Sequence, residues 1–364
     1  MINLGIVGCG KIAEHHIKVI SKIRGITVSG ISDLNFDKAL IVGKKYGIPS
    51  FQNYNKMLSS IQSINLVAII TPSGMHFTHA MDIIKNFKKN LIIEKPFLLK
   101  QSQVKKLYKL AKQKKCKIFP IFQHRYNRAV QRVFKSINSG ELGKVLITNV
   151  RLRWCRPDRY YRLSKWRGTF SQDGGALSNQ GIHLLDLLTY LGGEISNLNV
   201  IMKTFGAKIE VEDTVVATLE HKNGGVGTLE VTTAARPDDF EASISIIGSK
   251  GLAQIGGKAL NELQTFSPKK IDCKKYSENF PDTYGFGHSR IYLDIVRSLK
   301  SNKNFTINEK ESFRTTKLLN AFYKADELRK TVNINKISES KRLGKKNKKL
   351  YNLYSTWRYT AIYQ

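Results

Sequence analysis

Acidic side chains are the scarce class in this chain: 28 Asp and Glu stand against 60 Lys and Arg in 364 residues, a formal net charge of +32 at pH 7. A surface so short of carboxylates favours polyanions, whether nucleic acid, an anionic membrane or a charged small molecule. Most of the basic residues are lysine, in a sequence rich in Asn and Ile, as AT-biased coding produces. The charge is therefore read mainly as a solvated lysine surface, and no specific nucleic acid is expected. Cysteine is equally sparse. Cys9, Cys116, Cys155 and Cys273 are far apart with no C-x-x-C pair, which argues against a zinc site or a disulfide framework and fits a reducing cytoplasm. No metal is expected. No apolar run approaches the roughly 20 residues of a spanning helix, so an integral membrane protein is excluded. The first residues, Met1 to Gly8, lack a basic leader and already read as a strand, so no secretory signal is expected. Hydrophobic residues make up 41%, enough for packed cores, and the length suggests two domains.

What is present is an ordered alternation. Runs rich in Val, Ile and Leu at 2–7, 28–31, 66–70, 91–93 and 118–121 alternate with helical patterns at 12–21, 37–46, 79–87 and 102–114. Continuous apolar strands separated by helices specify a parallel sheet covered on both faces. Residues 1–122 are thus expected to form a Rossmann-type, doubly wound parallel sheet. From about residue 125 the rhythm changes. A helix at 129–137 and a strand at 145–153 precede an Arg/Tyr/Trp-rich stretch, a glycine pair and a helix at 182–191. Strand-like runs follow at 198–204, 215–221, 227–233, 242–247 and 252–255, with Asn223-Gly224-Gly225 as a hairpin signal. Helices at 289–299 and 309–329 come last. Residues 123–330 are expected to be a substrate-binding and oligomerisation domain of α+β type on a large, mostly antiparallel open sheet, making the chain α/β overall. Residues 331–364 form a basic tail, with Glu339 its one acid. Leu350, Leu353, Tyr354, Trp357 and Ala361 in it follow a short amphipathic helix pattern. Two readings stand: a frayed tail, or a segment docking on a partner subunit or a peripheral anionic membrane.

The chemistry-bearing motifs sit at the joins of this pattern. Gly8-Cys9-Gly10-Lys11-Ile12-Ala13 follows the first strand and opens the first helix. Gly8 permits the tight turn, Gly10 lets the backbone approach a pyrophosphate, and Ala13 keeps the helix close to the sheet. Asp33, ending the second strand, is placed to bond a ribose 2′-hydroxyl and repel a 2′-phosphate, favouring NAD over NADP, with Lys38 weakening the preference. Thr71-Pro72-Ser73-Gly74-Met75-His76 follows the strand at 66–70 and so flanks the cofactor, although His76 reads equally as a helix cap. Glu94-Lys95-Pro96 ends the next strand at the same edge. There Lys95 is either a solvated charge or a group that bonds a developing alkoxide. Asn179, His183 and Asp186 fall on one helix face, with His183 either a satisfied core histidine or a base for alcohol oxidation. Arg151, Arg153, Arg156, Arg159, Arg162 and Arg167, interleaved with Trp and Tyr, offer forks for phosphate or carboxylate and rings for stacking on a base.

On these motifs the chain resembles the Gfo/Idh/MocA oxidoreductases over about residues 1–330: a Rossmann domain, Glu-Lys-Pro, then a second domain with a helical histidine. The segments His124-Arg125-Tyr126-Asn127, 151–157, Lys165-Trp166-Arg167, 179–186, Val211-Glu212-Asp213-Thr214, 232–237 and 248–257 are similar to one branch. That branch comprises the bacterial UDP-N-acetylglucosaminuronate 3-dehydrogenases of surface-polysaccharide synthesis. The resemblance implies Lys95 and His183 as the catalytic pair. It implies cofactor contacts from Gly8, Gly10, Lys11, Ile12, Asp33, Thr71, Pro72, His76, Glu94, Lys95, Trp166 and Arg167. It implies substrate contacts from Arg125, Tyr126, Arg156, Tyr160, Asn179, Arg236 and His288. Many relatives outside this branch carry Asp four residues before the histidine. Asn179 cannot act as a base, so it is expected to orient substrate while the proton passes to Lys95 or His183.

The implied reaction is NAD-dependent oxidation of the 3-hydroxyl of a UDP-sugar to the 3-keto sugar, within lipopolysaccharide O-antigen amino-sugar biosynthesis. A 2-oxo acid such as 2-oxoglutarate, for cofactor regeneration, and a cytoplasmic homodimer or homotetramer go with it. Two rivals are kept. One is the same chemistry on another sugar or inositol. The other is a basic nucleic-acid or membrane-binding module with a vestigial Rossmann site, against which the intact Gly8/Gly10/Ala13/Asp33 set speaks.

Overall fold

The structure is a computed structural model describing residues 1–280, 284–301 and 303–355. The chain forms two compact units, one built from residues 1–121, 288–313 and the described residues from 346, the other from 122–287 and 314–345. The sequence reading has consecutive boundaries at 122/123 and 330/331, whereas this division is discontinuous in sequence, with breaks after 121, 287, 313 and 345. The described residues of 288–313 and of 346–355 group with the first unit, because chain order does not dictate which core a late helix covers.

The first unit carries β1 (Ile2–Val7), β2 (Ile26–Ser32), β3 (Ser50–Phe51), β4 (Leu66–Ile69), β5 (Asn90–Ile93) and β6 (Ile118–Pro120). All pair in parallel in the order β3-β2-β1-β4-β5-β6. Its helices include α1 (Ala13–Ile20), α2 (Phe36–Tyr46), α3 (Tyr54–Ser60), α4 (His76–Phe87) and α5 (Gln101–Gln113). Leu4, Ile6, Leu66, Val67, Ala68, Ile69 and Ile93 are all fully buried, which is why these strands read as unbroken apolar runs. The winding reverses between β1 and β4, which places the ligand-binding crevice of this sheet type beside the β1–α1 turn. Two elements escaped the sequence pattern, β3, only two residues long, and the short α3.

The second unit runs through α6 (Arg128–Asn138), β7 (Val145–Arg153), α7 (Asp158–Arg162), α8 (Ala176–Asn179) and α9 (Ile182–Gly192). Then come β8 (Ile195–Lys203), β9 (Thr214–His221), β10 (Val226–Thr232), β11 (Glu241–Gly248), β12 (Leu252–Gly256), β13 (Glu262–Phe266) and β14 (Val332–Asn333). The sheet order is β13-β12-β11-β7-β10-β9-β8-β14, with β7 and β10 parallel and every other pair antiparallel. Alternation is strict in β9, where Val215, Ala217 and Leu219 point inward and Val216 is half exposed. The Asn223-Gly224-Gly225 hairpin forms as expected, Gly224 taking φ +85°. Three helices complete the described chain, α10 (Gly287–Lys300), α11 (Glu309–Leu328) and α12 (Lys348–Tyr354). No helix among the described residues is long and apolar enough to cross a membrane.

The basic tail is not frayed through its described length. Val332 and Asn333 add a strand to β8, Leu343 is fully buried, and Arg342 pairs with Asp326 at 2.6 Å. Burial of Leu343 and two carboxylate partners for Arg342 (Asp326 and Glu327) outweigh the like-charge repulsion that suggested disorder. α12 falls within the expected amphipathic segment, whereas Trp357 and Ala361 lie outside the described residues.

Among the ion pairs of the second unit, the one between Arg125 and Asp186 is buried on both sides. Arg125 Nε and Nη2 donate to the two oxygens of Asp186 on α9 at 2.6 and 2.7 Å, both side chains being 1% exposed. Thr315 of α11 adds a third hydrogen bond, at 2.7 Å. Asp186→Ala would strand a buried guanidinium and is expected to cost about 3–5 kcal/mol. Urea unfolding measures this, and Arg125→Met with Asp186→Leu together should recover most of the loss.

Candidate functional site

In the first unit the site-bearing edge is the carboxyl end of the parallel sheet. Gly8 holds φ +102°, and a Cβ there would lie 2.7 Å from the Ile70 carbonyl oxygen, so only glycine fits the turn. At Gly10 a Cβ would meet nothing within 4 Å, leaving open space beside the backbone where a pyrophosphate fits. The Asp33 carboxylate is pinned by two amides, Cys9 N–H at 2.8 Å and Asn35 N–H at 2.8 Å, which ties the glycine turn to the end of β2. Burial, reinforced by Asp33, pushes the Cys9 thiol up to about 12, so this cysteine is an inert part of the cradle. Lys11 is exposed and Ile12 half-buried in the same turn.

Around β4 and β5 the structure assigns roles that differ from several expectations. The His76 ring is buried and faces the Pro96 carbonyl at 3.0 Å and the Thr71 carbonyl at 2.9 Å. With both nitrogens turned to the backbone it ties the 71–76 loop to the Glu94-Lys95-Pro96 turn, and the ring nitrogens are not offered to a cofactor. Burial lowers its pKa against the pull of those carbonyls. His79, which the sequence reading passed over, reaches the Thr71 hydroxyl through Nδ1 at 3.0 Å. Glu94 is buried. Its Oε1 lies 3.1 Å from His16 Nε2 and 3.4 Å from His288 Nε2, while Oε2 accepts the Lys95 amide at 3.0 Å. His16 in turn meets the Tyr292 hydroxyl at 2.8 Å. Burial alone would raise Glu94, but hydrogen bonds from the two imidazoles overcome it and hold the carboxyl well below its usual range. His288, expected to contact substrate, is fully buried in this cluster with its Nε2 toward Glu94. His16, Glu94 and His288 form the one cluster among the described residues with metal-ligand spacing, and ring-to-carboxylate hydrogen bonds account for it. Lys95 emerges half-buried from this base.

In the second unit, α8 and α9 present the other candidate groups. His183, 6% exposed, stacks on His124 with ring centroids 4.3 Å apart. Asn179 Nδ2 donates to Asp173 Oδ1 at 2.6 Å, and Asp173 Oδ2 accepts the Gly168 amide at 2.8 Å. Asp173 is the site residue that sequence reading missed. Its position at the end of a loop that doubles back has no periodic signature. Asp186, three residues after His183, is committed to Arg125. Arg125, expected at the substrate, is buried with Nε and Nη2 on Asp186, while Tyr126 beside it is half-buried.

The Arg/Tyr/Trp stretch closes into a platform. The Tyr160 hydroxyl accepts from Arg167 Nη1 and from Gln180 Nε2, the latter at 3.1 Å. The Arg167 guanidinium lies 4.3 Å from the Tyr160 ring centre and 4.7 Å from that of Trp166. Arg156 stands over Trp154 and Tyr160 at 5.0 and 5.6 Å and pairs with Asp239 at 2.7 Å. Arg236 donates to the Gly206 and Ala235 carbonyls at 2.7 and 2.8 Å. Arg153, by contrast, faces Glu230 and Glu241 on the sheet.

Behind α8 lies Glu212, which the sequence reading named within the 211–214 segment without giving it a role. It is buried, accepts the Tyr323 hydroxyl at 2.7 Å and the Leu177 amide at 3.1 Å, and packs where a Cβ on Gly175 would intrude. Burial raises it from 4.5 to about 8, against those hydrogen bonds. The folded state thus holds a proton that the unfolded chain releases. This contribution to stability is complete below about pH 4.5 and is lost as pH rises through about 8. Glu212→Gln is expected to flatten the decline of unfolding free energy between pH 5 and 8, read from urea melts across that range.

Comparison with known proteins agrees with this division. Residues 2–122 match the oxidoreductase family with an NAD-binding Rossmann fold, and residues 130–254 match the GFO/IDH/MocA C-terminal domain. Among curated relatives, glucose-6-phosphate 3-dehydrogenase of Bacillus subtilis is 25% identical over 260 residues, 69% of this chain and 73% of its own length. Myo-inositol 2-dehydrogenase of Thermotoga maritima is 24% identical, over 69% and 74%. Among solved structures, the WlbA dehydrogenase of Bordetella pertussis, in complex with NADH and UDP-GlcNAcA, superposes with a TM-score of 0.86 at 29% identity. That match covers 91% of this chain and 97% of the other. The chain belongs to the Gfo/Idh/MocA oxidoreductase family, and its first unit is an NAD(H)-binding Rossmann domain.

Proposed function

We propose that this protein is an NAD-dependent sugar dehydrogenase that oxidises the 3-hydroxyl of a UDP-N-acetylglucosaminuronate-type nucleotide sugar to the 3-keto sugar. The observation that carries the reading is the guanidinium–aromatic platform of Arg156, Tyr160 and Arg167. It is joined through Gln180 to the turn of chain that holds Asn179 and His183. The dianionic diphosphate and the carboxylate of such a sugar are both partners for such forks, and the base can stack on the rings. The WlbA complex, with its named UDP-GlcNAcA ligand, supports the same substrate class.

The Gly8–Gly10 turn and Asp33 would hold NAD, which when bound would supply the hydride acceptor. His183 takes the hydroxyl proton, and the Lys95 ammonium stabilises the oxygen as negative charge develops on it. Asn179, fixed by Asp173, orients the sugar and takes no proton. The exposed face of the second sheet carries Ile147, Ile201, Val216 and Val226, and this apolar surface supports a homodimer or homotetramer, which light scattering would weigh.

The second reading, favoured by the glucose-6-phosphate and inositol dehydrogenases among the relatives, is the same oxidation of a sugar phosphate or polyol. NADH absorbance across a panel of nucleotide sugars, sugar phosphates and inositol separates the two. Turnover confined to sugar phosphates or polyols overturns the nucleotide-sugar reading. Lys95→Ala and His183→Ala are each expected to lower kcat by roughly 10²–10⁴. Near-normal turnover in both would overturn the assigned chemistry.

A further inference from the structure

We propose that residues 340–344 act as a strap that positions the 168–175 loop, and through Asp173 sets the orientation of Asn179. The role of Asn179 toward substrate rests on the sugar-dehydrogenase reading. The coupling of strap to loop rests on contacts inside the second unit alone.

The strap is anchored on α11. Ser340 Oγ donates to Glu327 Oε1 at 2.5 Å, and the Arg342 amide donates to the same oxygen at 3.0 Å. Arg342 Nη2 reaches Asp326 Oδ2 at 2.6 Å, and Asp326 is itself held by the Met202 amide of β8 at 3.0 Å. From that anchor the strap touches the loop on both sides of Asp173. Before it, the Arg342 guanidinium lies 5.4 Å from the Phe170 ring centre, and the Gly344 amide donates to the Phe170 carbonyl at 2.7 Å. After it, Leu343, fully buried, fills the space beside Gly174, where a Cβ would come within 2.6 Å of its Cδ1.

The loop needs such support. Gly174 and Gly175 sit at φ +84° and +92°, so the backbone here is intrinsically permissive. Asp173 and Gly174 share one acceptor, the Thr169 carbonyl, and the Asp173 carboxylate spans Gly168 and Asn179. A loop released at Phe170 and Gly174 carries Asp173 away from Asn179. Misplacement of a substrate-orienting group by about 1 Å can cost about 10²-fold in rate. The strap residues are therefore positioning residues that act through the loop.

The test compares Leu343→Ala, Arg342→Ala and the volume-conserving Leu343→Met in the full chain. Hydrogen–deuterium exchange across 168–180 reads the coupling without any substrate. Leu343→Ala is expected to speed exchange there at least tenfold, with exchange in 2–51 unchanged and Leu343→Met near wild type. With a nucleotide sugar that the wild type oxidises, kcat/KM should fall at least tenfold in Leu343→Ala while NADH affinity stays within twofold. Should Leu343→Ala not fold, Arg342→Ala, at a partly exposed position, carries the same readouts. Unchanged exchange in 168–180 overturns the strap. Faster exchange with unchanged kcat/KM overturns its link to Asn179. A wild type inactive on every nucleotide sugar overturns the substrate reading instead, and the exchange result still decides the strap.

Discussion

The second unit depends on one buried contact, the two-pronged pair between Arg125 and Asp186. It fastens the segment after β6 to α9, and Thr315 brings α11 into the same hydrogen-bond set. An ion pair without water is favourable only when both partners are well satisfied, and here two forks and a hydroxyl meet one carboxylate. The consequence reaches His183. Since Asp186 faces Arg125, the histidine sits within the apolar helix around it and against the stacked His124 ring.

The first unit uses a related device with a different balance. Glu94 is a single buried negative charge, held ionised by two imidazoles, and its other oxygen takes the amide of Lys95. Burial lowers the His288 pKa, so at neutral pH that ring is an uncharged donor to the carboxylate. Glu212 shows the opposite outcome. Its hydrogen bonds come from one hydroxyl and one amide, which do not overcome burial, and it keeps its proton to about pH 8. The number and kind of donors around each carboxyl decide which stays charged.

Much of the fold was legible because its signals are local. Continuous apolar runs marked the parallel strands, strict alternation marked β9 and β10, and the Gly8–Ala13 pattern needed only neighbouring residues to be read. β3 and β14 escaped because two residues carry no periodicity, and both exist only through pairing with β2 and β8. Among site residues, Gly8, Gly10 and Asp33 stand where the motif put them. The buried partners of Arg125 and His288, both expected at the substrate, could not be read from sequence, since they lie 61 residues away in one case and 194 in the other. Asp173 was missed, and Glu212 was named without a role, for the same reason, as nothing adjacent in sequence announces their contacts.

The sequence by itself determined the class of sheet in each half, the dinucleotide turn and the excess of positive charge, since period, glycine placement and composition act over a few residues. Tertiary structure alone decided which charges are available. It buried Arg125 and His288, set Asp173 on Asn179, gathered Arg156 and Arg167 around Tyr160, and folded part of a basic tail into a strap against the 168–175 loop. Those outcomes depend on which distant groups meet in the absence of water. There the cost of an unpaired charge, rather than local propensity, selects the arrangement.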